Sequence, residues 1–201
     1  MAMVLVGEDD LCCALGAALI SQSGAMVSLD MLLSTGGAGP FRSTISRMNE
    51  VAAAGNRVLM VGDADQAACV VTQIRDWSPN NPSENLLIRL AVREAESWVL
   101  ADEEGLAAFA KVSEAKIPPS PDELADPKAD LLRVIRGCKR GDLKREMLPS
   151  KVSSPKVGLG YNLHLKTFVR EHWRADRAAR RSPSLARALP KIYSLLARSG
   201  Q

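Results

Sequence analysis

Four short apolar runs punctuate the first half of the chain, and the segments between them carry apolar residues at helical spacing. Val4-Leu5-Val6 predicts a strand over 3–7, and an unbroken apolar run of this kind reads as a strand buried on both faces, as in a parallel sheet. Leu11, Ala14, Leu15, Ala18 and Leu19 then recur every three or four positions. They predict a helix over 9–22, stopped by Gly24. A second strand near 26–33 runs into Gly36-Gly37-Ala38-Gly39-Pro40, after which a helix over 42–54 carries Ile45, Met48, Val51 and Ala52 on one face. Strand 58–62, helix 65–76, the polar turn Pro79-Asn80-Asn81-Pro82, strand 86–92 and helix 96–110 complete the series. Strands alternating with helices predict an α/β fold, a parallel sheet flanked by helices.

Beyond residue 112 the texture changes. Ile117-Pro118-Pro119-Ser120-Pro121 cannot continue a helix, while Asp126-Pro127-Lys128 starts one over 127–137 with proline in the first turn. Lys151 to Gly160 reads as an irregular basic loop, and Ser182-Pro183-Ser184 opens a last helix in which Leu185, Leu189, Ile192 and Leu196 are spaced to pack. The division is a core over 1–112 and a mainly helical, basic extension over 113–201 packed on it.

Charge sharpens that division. The chain has 201 residues and a net charge of +3. Residues 1–132 hold 9 Lys and Arg against 19 Asp and Glu, a balance of −10, and residues 133–201 hold 17 against 4, a balance of +13. One half attracts cations and the other attracts polyanions, the pairing that an enzyme acting on phosphodiesters requires. The plainer alternative is that the basic run from Arg170 to Arg181 is the solvated face of a surface helix. The start lacks a basic leader with a long apolar stretch, and no window approaches the roughly 18 uncharged apolar residues of a membrane span; a cytoplasmic protein without membrane contact is expected. Cys12, Cys13, Cys69 and Cys138 form no Cys-x-x-Cys pair, so they read as small buried hydrophobes.

Candidate chemistry sits at the predicted strand ends. Glu8 follows the first strand and Asp63-Ala64-Asp65 follows the third. Carboxyl ends of parallel strands form the ligand crevice of open α/β sheets, and oxygen ligands suit a hard divalent cation. The helix-start alternative, Glu8, Asp9 and Asp10 complementing the dipole of helix 9–22, leaves Asp63 and Asp65 unexplained. Glu94 and Glu96 stand at the fourth strand end. Arg42, beside the Gly36–Gly39 loop and near a helix N-terminus, could meet a phosphate. The two histidines, His164 and His172, make no zinc-ligand pattern. Trp77, Trp98 and Trp173 read as packing anchors rather than stacking platforms.

Glu8 after a first strand and Asp-x-Asp, here Asp63-Ala64-Asp65, after a later one resemble the magnesium-binding motifs of the Toprim (topoisomerase–primase) domain. Val92 to Asp102, with its Glu94 and Glu96, and Asp126-Pro127-Lys128 resemble a subgroup of short Toprim-like proteins, related to overcoming-lysogenisation-defect nucleases and phage-defence effectors. The match departs in two places: Glu8 precedes Asp9-Asp10 and Asp65 precedes Gln66, where the family places glycine. The resemblance implies a Toprim/Rossmann-like fold and a Mg²⁺- or Mn²⁺-dependent nuclease cutting DNA or RNA in anti-phage defence, beside an ABC-type ATPase partner. It implies Glu8, Asp63 and Asp65 on one metal, with Glu8 able to serve instead as acid or base. Glu94 and Glu96 would supply a second metal, two cations about 4 Å apart serving both the attacking and leaving oxygens. Helix onset lets only one of that pair point inward, and the resemblance favours Glu96. Lys128 would offset charge on the transition-state phosphorus, against the plainer reading of a solvated helix-start lysine. Lys151, Lys156 and Tyr161 would contact the nucleic-acid backbone, and a homo-oligomer is compatible with all of this. The rivals are a non-catalytic Toprim-like partner subunit and a receiver-type phospho-acceptor domain, which Val4 to Asp10 also resembles.

Overall fold

In the computed structural model, which describes residues 2–149 and 156–198, the four apolar runs form β1 (Met3–Gly7), β2 (Leu29–Ser34), β3 (Arg57–Asp63) and β4 (Leu86–Ala91). They make one all-parallel sheet in the order β2-β1-β3-β4. The connecting helices are α1 (Asp10–Gln22), α2 (Ala38–Ala53) and α3 (Val70–Trp77). The chain steps from β1 out to β2, then crosses back over β1 to β3. Because such crossovers are right-handed, the reversal puts α1 on one face and α2 and α3 on the other. The core follows: Leu5, Leu59 and Val61 pack with α1, whereas Val4, Val6, Val58 and Met60 pack with Phe41, Ile45 and Met48 of α2. The arrangement fits a Rossmann- or Toprim-like α/β fold.

Several boundaries differ from the sequence expectation, each for a local reason. β2 begins at Leu29, and Met31, Leu32 and Leu33 are exposed because it is an edge strand. α2 starts at Ala38, ahead of 42; Pro40 falls in its first turn, where no N–H is needed. The expected helix 65–76 begins only at Val70. Residues 64–69 form a turn in which Asp65 takes φ 48° and its N–H donates to the Arg93 carbonyl at 2.8 Å. The expected helix 96–110 is two, α4 (Glu96–Ala101) and α5 (Glu103–Ala110), broken at Asp102. The Asp102 side chain caps α5 and is held by Arg177 (Nε to Oδ1 2.7 Å).

The second half folds as α6 (Pro127–Arg136), α7 (Gly141–Met147), α8 (Tyr161–Glu171), α9 (Ala175–Ala179) and α10 (Pro183–Ala197). Asp126 caps α6 and Ser182 caps α10. These helices share one apolar cluster with α1, including Leu15, Leu131, Phe168 and Ile192. At its centre the Trp173 indole N–H donates to the Trp98 carbonyl, and the Trp98 indole donates to Ser184 Oγ, both at 2.9 Å. Cys12, Cys13 and Cys138 are buried, but Cys69 is exposed, against expectation, because it precedes the short surface helix α3.

Part of the charge division is spent inside the fold. Arg177 pairs with Asp102, Arg181 with Glu103 and Arg198 with Glu84, each a basic residue of the second half on an acid of the first.

Candidate metal centre

β1 and β3 are neighbours whose outgoing connections leave to opposite sides of the sheet, the topological switch point at which open α/β sheets form a crevice. Glu8 and Asp63 stand at its two lips. The Glu8 N–H donates to the Val61 carbonyl at 2.9 Å, extending the ladder past β1, and Glu8 Oε2 accepts the Asp63 N–H at 3.0 Å. Two glycines make the approach possible. A Cβ on Gly62 would lie 3.0 Å from both Glu8 Oε2 and the Phe41 ring, and one on Gly7 would lie 2.6 Å from the Cys13 backbone nitrogen. The Gly36–Gly39 segment is tied to the same place, since the Gly37 N–H and the Thr35 hydroxyl both donate to the Glu8 carbonyl.

The other acids arrive from the turn after β4. Asp63 Oδ1 accepts from Ala95 N–H at 2.8 Å and from Cys12 Sγ at 3.6 Å. Arg93, at φ 60°, reverses the chain there, so Glu94 and Glu96 both turn toward Lys128 at the start of α6. The Lys128 ammonium is 3.6 Å from Glu94 Oε1 and 3.5 Å from Glu96 Oε1, and its backbone N–H donates to Glu94 Oε2 at 3.0 Å. Of the two, Glu96 is the inward one, 4% exposed and near enough to raise Asp63, whereas Glu94 is 26% exposed; a turn, not a continuing strand, sets their directions. The reading of Lys128 as a solvated helix-start lysine is corrected.

Burial and crowding dominate the electrostatics. Asp63 is pushed up to about 8, by desolvation first and then by Glu96, Glu8 and Asp9. Glu8 is raised by burial, with Asp65 and Asp9 adding and the Asp63 N–H opposing. Glu96 is raised by burial against the pull of Lys128 and Tyr161. Lys128 is raised although burial opposes it, because Glu96, Glu94 and Asp63 surround it.

Hard carboxylate oxygens held together without enough positive charge suit a hard dication in kind. Glu8 and Asp63 supply such a pair, with exposed Asp65 at the mouth coupled electrostatically to Glu8. As the side chains stand, no three His, Cys, Asp or Glu among the described residues close around one point. Glu94 and Glu96 do not fit the second metal expected of them, because the Lys128 ammonium already lies between them.

The remaining expectations divide. Tyr161 is corrected as a nucleic-acid contact: it is 3% exposed, and its hydroxyl donates to Glu96 Oε1 at 2.8 Å. Burial removes it from any backbone and makes it a support for Glu96. Arg42 is exposed on α2, its guanidinium 5.9 Å from the centre of the Trp77 ring. Lys156 is exposed, and Lys151 lies outside the described residues. Asp9 and Asp10 are engaged locally: Asp9 caps α1 and Asp10 holds Lys166 at 2.8 Å. Sequence reasoning missed Cys12 and the Ala95 N–H as partners of Asp63, and no spacing signal could have found either. No protein-family model, curated protein or solved structure matches the chain.

Proposed function

We propose that the protein is a Toprim-like phosphodiesterase that cleaves nucleic acid with one Mg²⁺ or Mn²⁺ held by Glu8 and Asp63, Asp65 completing the set. The observation that carries this reading is the convergence of Glu8, Asp63, Glu96 and Lys128 at the carboxyl end of the sheet, on its switch point. When bound, the ion lowers the pKa of a coordinated water and neutralises phosphate charge. The Ala95 N–H fixes one oxygen of Asp63 and the Asp63 N–H fixes one oxygen of Glu8, which restricts both side chains at the strand ends, and Asp65 would move in to complete the set. Lys128 presents a charged ammonium, kept protonated by Glu94 and Glu96, to the developing charge on the phosphoryl oxygens. Tyr161 fixes Glu96, which in turn fixes Lys128.

Asp63, which a receiver domain would use as phospho-acceptor, is half-buried, bonded on one oxygen and held above the usual carboxylate range, which favours this reading over a receiver domain. The family resemblance carries the rest of the proposal: an anti-phage effector acting with an ABC-type ATPase partner. The test is cleavage of labelled single-stranded and duplex DNA and RNA in Mg²⁺ and Mn²⁺. Wild-type protein cleaves and Asp63→Asn does not; equal activity of the two, or none in either with the ATPase present, refutes the reading and leaves the non-catalytic partner.

A further inference from the structure

The flank of the sheet carries a feature that the acid cluster does not use. α1 and α8 lie side by side and both begin at the cluster, α1 capped by Asp9 next to Glu8 and α8 opening with Tyr161 on Glu96. Between them runs a groove of about 570 Å³, within the size range of ligand clefts. Its floor is small and apolar, made of Ala14, Ala17 and Ala18, and its rim is cationic, made of Lys166, Arg170 and Arg174. Lys166 and Arg170 are one helical turn apart on α8, about 6 Å along its axis, and Arg174 follows just beyond the helix end.

The cations are available. Lys166 is paired with Asp10 and Arg170 with Glu171, but all four side chains are at least 42% exposed, and exposed pairs are weak enough to exchange for a phosphate. Arg174 donates to the Trp173 carbonyl at 3.0 Å and has no carboxylate partner among the described residues. The far end is rigid, because the Gln22 amide bonds both the Trp173 carbonyl and the Ala175 N–H.

We propose that this groove is the track on which a single nucleic-acid strand reaches the acid cluster, with its phosphates on Lys166, Arg170 and Arg174 and its sugars over the alanine floor. The destination rests on the phosphodiesterase reading; the binding itself does not. One line of cations matches one backbone, whereas a duplex presents two. A floor without aromatic rings offers no stacking, so the groove reads backbone and not sequence.

The test is fluorescence anisotropy of a labelled oligothymidylate with full-length protein in EDTA, across a salt series. Against wild type, Arg170→Glu/Arg174→Glu weakens binding about tenfold or more, and the log–log salt slope falls by about 1.4, two contacts at about 0.7 each. Ala17→Glu, which puts a carboxylate on the floor, weakens it as well, and Arg187→Glu on the exposed side of α10 leaves it unchanged. Unaltered binding by the groove variants, an equal loss in Arg187→Glu, preference for duplex of the same length, or no binding by wild type overturns the groove. If the groove variants lose binding while wild type does not cleave in Mn²⁺ even with the ATPase present, the groove stands and the phosphodiesterase reading falls. Cleavage with groove-independent binding gives the reverse.

Discussion

On the proposed reading, Lys128 limits the site to one ion. Its ammonium sits 3.5 and 3.6 Å from the two glutamates that would otherwise form a second site. Replacing it by Met leaves the buried Glu96 and the half-buried Glu94 without a counter-charge. Lys128→Met is expected to raise the Mn²⁺ stoichiometry from one to two by calorimetry while slowing single-turnover cleavage by about 100-fold, the scale of losing one preorganised charge donor. Asp63 gives a pH signature. Its ordinary value is 3.8 and the fold pushes it to about 8, so between those values the unfolded chain has released a proton that the metal-free fold still holds. The unfolded state binds fewer protons there, and stability falls as pH rises through that interval. Glu8 and Glu96, also raised, act with the same sign. The melting temperature of metal-free protein is therefore expected to drop from pH 5 to pH 8, and Asp63→Asn to flatten the drop; Mn²⁺, which needs deprotonated ligands, stabilises more as pH rises. Tyr161→Phe removes one hydrogen bond from a buried carboxyl and is expected to cost about 1–3 kcal/mol in urea denaturation.

At the scale of elements, the fold rests on junctions that bind the two halves of the sequence. Asp102 is fully buried, caps α5, accepts from the Arg174 N–H at 2.8 Å and pairs with Arg177. Asp102→Asn is expected to cost about 3–5 kcal/mol in urea denaturation, because a buried pair is broken on one side. Asp76→Asn, which breaks the exposed Arg75–Asp76 pair on α3, costs under about 1 kcal/mol. Such junctions mark the limit of what the sequence discloses. The strands were legible because unbroken apolar runs have few alternatives, and α6 and α10 because Asp126-Pro127 and Ser182-Pro183 are capping signals. α7, α8 and α9 carry no comparable punctuation, and the break at Asp102 depends on Arg177, 75 residues away. At the site, Glu8 and Asp63 were legible from strand-end position, whereas the roles of Tyr161 and Lys128 arise from turn geometry and a long-range contact.

For the whole molecule, the charge division does two jobs. Arg177, Arg181 and Arg198 are used to clamp the basic half onto acids of the first half, so the +13 of residues 133–201 overstates what is free to meet a polyanion. On the proposed track, the cations of the α1–α8 flank, Lys166, Arg170 and Arg174, are the ones that meet it. The account turns on a single ion between Glu8 and Asp63. Titration of Mn²⁺ into metal-free protein at pH 8, followed by electron paramagnetic resonance, tests it most directly. One bound ion per chain in wild type and none in Asp63→Asn is the expected result; no ordered ion, or an ion that survives Asp63→Asn unchanged, contradicts it.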